Sequence, residues 1–226
     1  MTIQASYLIQ QVAEQLQDAT FVRWKVPELA RYLMDGRREI LVSRPDATAQ
    51  TLELTLSEGA VQTLPVAATK LLEVRRNSGA SKRAVTQCPL EMLDAVAPEW
   101  AAMTPSTEIR HFTFDPRTPR EFHVYPPAVS GTKVMAVCST IPADLTVAPG
   151  ATQASGVTGD TGVPDILVNA LMNYILYRAY AKDSESPSSM ARAQAYYNAF
   201  AAGLGTEVTA TVTAGPTSRP TPMSST

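Results

Sequence analysis

The sequence predicts an α+β protein: a helical bundle formed by N- and C-terminal helices, with a small antiparallel β domain inserted between them. Apolar residues recur at helical spacing in residues 1–48 and 163–205, and they alternate at strand spacing in residues 49–142. Between the β domain and the later helices lies a Gly/Thr-rich stretch (143–162), predicted to be a long loop or extended arm. Residues 206–226 are predicted to form an extended C-terminal tail.

Bulk composition excludes several classes of protein. The 226 residues, 45% of them hydrophobic, allow a real core but are few for two full-sized domains. A net charge of -2 excludes the strongly basic footprint of a dedicated nucleic-acid binder. No signal peptide or membrane-spanning segment is expected, because the N-terminal residues are not basic and long apolar runs are missing. Cys88 and Cys138 lie far apart, so we predict reduced, half-buried thiols in a protein that matures in a cytoplasm.

Two amphipathic helices are predicted near the N-terminus. Their apolar stripes consist of Leu8, Val12 and Leu16 in the first helix and of Leu29, Leu33 and Ile40 in the second. Pro27 favours the first turn of the second helix, and Arg44-Pro45 ends it. Gly36 falls on the apolar stripe of this helix, which predicts a close crossing with another helix.

The middle of the chain predicts about six short strands. The segment TLELTL (51–56), a Ser-Glu-Gly turn and the segment VQTLP (61–65) predict a hairpin. Further predicted strands are KLLEVRR (70–76), RAVTQC (83–88), EIRHFTFD (108–115), REFHVYP (120–126) and TKVMAVCST (132–140), with a brief helix at 89–96. Turn-forming residues such as Asn77-Ser78-Gly79 and Asp115-Pro116 separate these elements.

Two further helices are predicted after the arm. Pro164 begins the first, and Ser186-Pro187 separates it from the second, which Gly203 and Gly205 end. Their apolar positions are Ile166, Ala170, Tyr174 and Tyr177 in the first and Met190, Ala193, Tyr197, Phe200 and Leu204 in the second. The tail that follows has three prolines and little apolar bulk, so we predict that it needs a partner to become ordered.

Sequence patterns typical of catalysis or of metal and cofactor binding are missing. His111 and His123 are predicted to lie on opposite faces of a hairpin or two rungs apart, with no acidic or cysteine cluster to complete a metal site. There is no GxSxG or GxxxxGK[ST] motif, and the glycines of GVTGDTG (156–162) follow a polar loop instead of a buried strand. We therefore predict no enzyme activity, no cofactor and no catalytic, cofactor-binding or metal-binding residue.

The densest basic region runs from Arg23 to Arg44, with six basic residues against three acidic ones. The candidate channel-facing or inter-subunit residues in it are Arg31, Arg37, Arg38 and Arg44. One interpretation is a helix stabilised by ion pairs within and between subunits. The other is a guanidinium surface that passing DNA touches only through its phosphates.

Seven motifs, in their order and spacing, resemble the family of tailed-bacteriophage head-to-tail adaptor (connector or neck) proteins. These motifs are RW (23–24), ELARYLMDGRREI (28–40), RPDA (44–47), QTLP (62–65), PEW (98–100), HFTFDPRTPREFHVYPP (111–127) and LYRAYAKDSE (176–185). The resemblance covers about residues 21–205, and the Thr/Pro-rich tail is longer than the family pattern.

The resemblance implies a ring of twelve copies at the virion neck, assembled in the host cytoplasm. The ring would join the portal protein to the tail tube or nozzle protein and line the DNA exit channel, with genomic DNA passing non-specifically and without contact to a membrane. We predict that the arm and the C-terminal tail lock this adaptor to the portal or the phage tail. The candidate docking residues in the tail are Thr206, Val208, Val212, Pro216, Arg219, Pro220 and Pro222.

Two alternatives stay open. A tail-associated carbohydrate- or receptor-binding module could use Trp24, Trp100 and the tyrosines of the chain. The aromatic segment at 111–127 could supply either hairpin core or ring contacts. Alternation on a pleated strand favours core for its large apolar side chains. These are Phe112, Phe114, Phe122 and Val124.

Overall fold

A computed structural model describes residues 3–79, 81–182 and 186–214, the last nine of these by their backbone. The chain forms two compact units. One comprises Met1–Arg44 and Ala143–Thr226 and is called the helical unit; the other, Pro45–Pro142, is called the β unit. Helices combined with small sheets confirm the predicted α+β class.

Five helices and nine strands are found in the described residues. The helices are α1 Ala5–Gln15, α2 Val26–Ser43, α3 Leu90–Val96, α4 Val168–Lys182 and α5 Pro187–Ala214. The strands are β1 Ala49–Thr55, β2 Gly59–Thr63, β3 Ala68–Asn77, β4 Thr86–Gln87, β5 His111–Thr113, β6 Glu121–Ala128, β7 Lys133–Thr140, β8 Thr146–Val147 and β9 Val157–Thr158.

Helix α4 lies at the centre of the helical unit, in contact with α1, α2 and α5. Its sequence is apolar on several sides, as expected of a helix that packs against three others. A Cβ atom built on Gly36 of α2 would lie 2.7 Å from Cδ1 of Leu171 and 2.8 Å from Cδ1 of Tyr174. The predicted close helix crossing at Gly36 is therefore confirmed.

Asp18 fixes the loop between α1 and α2. Its carboxylate oxygens accept hydrogen bonds from the backbone N–H groups of Val22, Arg23 and Trp24 at 2.8 to 2.9 Å. Desolvation opposes ionisation of this carboxyl, but the three backbone donors and the charge of Lys25 outweigh it, and the pKa of Asp18 is lowered. The loop thereby sets where α2 begins.

Residues 143–162 differ from the predicted long loop or extended arm, because they contain the hairpin of β8 and β9. Leu145 and Val157 are buried. The backbone of the segment also bonds to the residues around the start of α1: Ala5 N–H donates to the Gly159 carbonyl and Thr161 N–H to the Ile3 carbonyl. A few well-placed apolar residues thus suffice to pack this polar segment within the helical unit.

The sequence predicted that the last helix ends at Gly203 and Gly205. This is wrong, because α5 continues to Ala214. A glycine inside a helix costs only about 1 kcal/mol. Gly203 also serves close packing, since a Cβ atom there would lie 3.3 Å from Cβ of Ala170 on α4. The next proline, Pro216, comes after the end of the helix, so nothing before it interrupts the helical hydrogen bonding.

The β unit contains a three-stranded sheet, ordered β1-β7-β3, and a four-stranded sheet, ordered β2-β6-β5-β4. Its core includes Phe112, Phe122 and Val124, and Phe114 packs against that core while partly buried. These residues are core within the subunit, as alternation predicted. His111 pairs with Tyr125 and His123 with Thr113, so the two histidines lie two rungs apart, one of the two predicted arrangements.

The predicted hairpin of β1 and β2 is wrong, because β1 pairs with β7 and β2 with β6 in different sheets. The buried side chain of Gln62 forms hydrogen bonds with the backbone of the turn between β1 and β2. Its Nε2 donates to the carbonyls of Ser57 and Gly59, and its Oε1 accepts from the Ser57 N–H. Gln62 thus supplies the hydrogen bonds that hold the chain in a corner between the two sheets.

The predicted strand RAVTQC (83–88) is shortened to Thr86–Gln87, because here too the chain passes from one sheet to the other. Ala84 forms a bridge with Arg76, and Val85 N–H donates to the Arg75 carbonyl, so these residues bond to β3. Thr86 and Gln87 then pair with β5 of the other sheet. The segment is divided between two sheets and cannot form one continuous strand.

We expect the two cysteines to differ sharply in reactivity. Both are free thiols, but Cys138 is fully buried, and burial raises its pKa to about 11, whereas Cys88 is partly exposed. At pH 8, iodoacetamide should modify Cys88 and leave Cys138 intact in the folded protein, as mass spectrometry of peptides can show. A Cys88→Ser variant should then be alkylated only in denaturant; equal labelling of both thiols in the native protein would contradict this.

Candidate assembly surfaces

The four arginines proposed from the sequence do not share one exposed surface. Arg37 is only 3% exposed and donates from Nη1 to the Ala143 carbonyl at 3.1 Å. Burial lowers its pKa, which the nearby charge of Asp144 partly offsets. Arg44 is 9% exposed and donates from Nη1 to the Leu204 carbonyl at 3.4 Å. Both guanidinium groups therefore tie α2 to other parts of the helical unit.

Arg31 and Arg38 present their side chains to solvent. The Arg38 side chain is 63% exposed and lies 3.4 Å from the Asp35 carboxylate and 4.0 Å from that of Asp144. Such exposed ion pairs contribute at most about 1 kcal/mol, so they leave the guanidinium free to exchange partners. Of the four candidates, these two can meet a neighbouring subunit or DNA without unfolding.

The two tryptophans are packed inside their units. Trp24 donates from Nε1 to the Ala179 carbonyl at 3.3 Å, and Trp100 donates from Nε1 to Oδ1 of Asp94 at 2.8 Å. Each indole is at most 6% exposed. Stacking on a sugar needs an open aromatic face, so the structure gives no support to the carbohydrate-binding alternative from these residues.

The histidines are engaged with aromatic neighbours. His111 stacks on Tyr125 and His123 meets Trp100 edge to face, each at 5.9 Å between ring centroids. Thr86 Oγ1 lies 2.7 Å from Nδ1 of His111. Among the described residues, no group of three His, Cys, Asp or Glu side chains is placed to hold a metal ion.

An exposed apolar surface on the β unit was not singled out from the sequence. Two adjoining hollows, with volumes of about 460 and 410 Å³, meet at Ala97 and are here called the apolar track. Met92 and Val96 of α3 line the first hollow, and Trp100 and Met103 line the second. A sequence signal did exist: α3 is apolar on more than one side, although only Leu93 of it is buried.

The docking residues predicted in the C-terminal tail lie outside what the structure describes in side-chain detail. Thr206, Val208 and Val212 belong to α5 by their backbone. Pro216, Arg219, Pro220 and Pro222 lie beyond the described residues. In the described part of the chain, no helix is both long and apolar enough to cross a lipid bilayer.

Comparison with the sequence models of protein families gives a match over nearly the whole chain. The sequence model of a family described as SU10 adaptor protein matches residues 3–222. This confirms the resemblance drawn from the motifs, and the matched range extends past residue 205 into the Thr/Pro-rich C-terminal segment. A search of curated proteins found no match to the chain.

Proposed function

The chain belongs to the SU10 adaptor protein family and is a structural component of a phage particle; from this premise we propose that it forms an oligomeric ring joining the portal to the tail. The observation that carries the proposal is the family match across residues 3–222. The ring, of about twelve copies in this proposal, sits at the neck and lines the channel through which DNA leaves. The role is assembly and sealing, without catalysis.

Ring formation gives each weak contact a collective effect. A closed ring repeats the same interface at every subunit, so modest interfaces add up to a stable assembly. In this proposal the helical unit serves as the body of the ring, with its N- and C-terminal helices packed as a bundle. Its support is the central position of α4 and the crossing at Gly36, which hold both ends of the chain together.

In this proposal, Arg31 and Arg38 contact the passing DNA. Both side chains are exposed, whereas Arg37 and Arg44 are committed to carbonyl groups inside the helical unit. Exposed guanidinium groups bind phosphate without reading sequence, which suits a channel that must pass every part of a genome.

The C-terminal segment, residues 206–226, is proposed as the docking element of the subunit. It contains few large apolar side chains, and its three prolines all follow the end of α5, so the sequence of residues 215–226 favours order gained on binding. The family match reaches residue 222, which makes the segment part of the family pattern. The last side chain described as buried in α5 is that of Leu204, before the segment begins.

Mass measurement tests this proposal. The purified chain alone is expected to be a monomer and to form a multi-copy ring only when mixed with the portal protein of the same phage. A variant lacking residues 206–226 should remain folded, with an unfolding temperature within about 2 °C of the full chain, because Phe200 and Leu204 are retained. The same variant should bind the portal at least about tenfold more weakly.

Two results would contradict the proposal. A full-length chain that stays monomeric and does not bind the portal removes the adaptor ring. A shortened chain that forms the ring as well as the full chain removes the docking role of residues 206–226. Circular dichroism of both proteins provides the control for folding.

A further inference from the structure

We propose that residues 215–226 of one copy bind the apolar track on the β unit of another copy. This inference rests on the proposed ring, since it names the partner of the docking segment. Three features of the chain support it: an exposed apolar surface, a segment of matching chemistry, and opposite charges on that surface and that segment.

The apolar track leaves large side chains in water. Val96 is 77% exposed, Met92 is 59% exposed and Met103 is 44% exposed. These three residues lie within a short stretch of chain around two hollows, whereas isolated exposed apolar residues are scattered on most proteins. Strand β4, whose Thr86 and Gln87 line the first hollow, is an edge strand of its sheet. A peptide in extended form can pack on such a surface.

Residues 215–226 have the sequence GPTSRPTPMSST. Prolines at 216, 220 and 222 remove three backbone N–H donors, which disfavours a helix or a central strand and favours an extended polyproline conformation. In that conformation twelve residues span roughly 37 Å, at about 3.1 Å each. Pro220, Pro222 and Met223 supply apolar side chains of a size that shallow hollows accept.

Charge favours the same pairing. Residues 88–103, which include α3 and Trp100, carry Glu91, Asp94 and Glu99 and no Lys or Arg. Residues 215–226 carry Arg219 and no Asp or Glu. The first hollow is also lined by Arg110, whereas the second is lined by Glu99 and by no basic residue. Arg219 is therefore placed at the second hollow, beside Glu99.

A ring makes weak binding sufficient. A segment attached to one subunit and facing its neighbour is present at an effective concentration of about 1 mM. An intrinsic Kd on the order of 0.1 mM would then keep most sites filled. Each occupied track would connect two neighbouring copies and so contribute to closing the ring.

The direct test uses the full chain and a fluorescently labelled peptide of residues 215–226, followed by fluorescence anisotropy. We expect saturable binding, which a peptide of the same composition in scrambled order should lack. Val96→Arg in the full chain should weaken binding more than about tenfold, because it places a charge in the hollow. The matched control is Val66→Arg, since Val66 of the same unit is 83% exposed and lines neither hollow.

A charge exchange then tests the orientation. A peptide with Arg219→Glu should bind the unchanged protein about three- to fivefold more weakly, as expected of an exposed ion pair. The same peptide should regain its affinity on a Glu99→Arg variant of the protein.

Two outcomes overturn the inference. Peptide binding that persists unchanged in Val96→Arg shows that the site lies elsewhere, and lack of saturable binding shows that this segment is not the occupant. Neither result changes the mass expected for the ring formed with the portal. The inference can therefore be wrong while the proposed function is right.

Discussion

Replacing Asn77 with alanine is expected to lower the free energy of unfolding of the β unit by about 3 to 4 kcal/mol. The Asn77 side chain is 2% exposed. Its Oδ1 accepts from the Ile109 N–H at 2.8 Å, and its Nδ2 donates to the carbonyls of Ile109 at 2.8 Å and Arg83 at 3.0 Å. Alanine would leave both backbone groups of Ile109 buried without this partner, and each such group costs about 1 to 3 kcal/mol.

Urea denaturation monitored by circular dichroism measures this loss. Asn198→Ala provides the matched control, since Asn198 is an exposed residue of α5 whose side chain bonds only to that of Gln194 among the contacts found. That variant should change the free energy by less than about 0.5 kcal/mol. A loss below about 1 kcal/mol for Asn77→Ala would show that water or another group replaces the amide.

The second large effect is expected at the helix crossing. Gly36→Leu should lower the free energy of unfolding of the helical unit by about 3 kcal/mol, or prevent folding, because the new side chain meets the fully buried Leu171 and the ring of Tyr174. Gly36→Ala should still cost about 1 kcal/mol, although alanine favours helix by a similar amount.

Gly205→Ala separates packing from helix propensity. Gly205 is also a helical glycine, but no heavy atom outside its own backbone surroundings lies within 4 Å of the Cβ that alanine would add. This substitution should stabilise the protein by up to about 1 kcal/mol. If Gly36→Ala were stabilising too, the close approach of α2 and α4 would be disproved.

The sequence predicted the structure correctly where the deciding residues lie within one helix or hairpin. Gly36 on an apolar stripe predicts a close crossing, and the turn at Asp115-Pro116 predicts two possible arrangements of His111 and His123, one of which is found. The apolar periods of α1 and α2 likewise predict which faces are buried, as Leu8 and Leu29 show. In each case the pattern repeats along the element, so the signal is local.

The wrong predictions share a different cause. Spacing favoured a hairpin of β1 and β2, and only the distant partner β7 and the side chain of Gln62 make a corner there. The prediction for Arg37 and Arg44 as inter-subunit or channel residues is not tested, but their burial was also hidden from the sequence, because the carbonyl groups that accept their hydrogen bonds belong to residues more than one hundred positions away. The apolar track combines α3 with strands β4 to β6, which no local pattern joins.

The division of the helical unit between both ends of the chain has a consequence for synthesis. Trp24 bonds to Ala179, 155 positions later, and Asp35 to Arg178, 143 positions later. The β unit, by contrast, is contained within Pro45–Pro142. On the ribosome the β unit can thus complete its contacts first, while α1 and α2 wait for α4 to emerge. A nascent chain would then lack a finished helical unit until α4 has been synthesised, well after the β unit is complete.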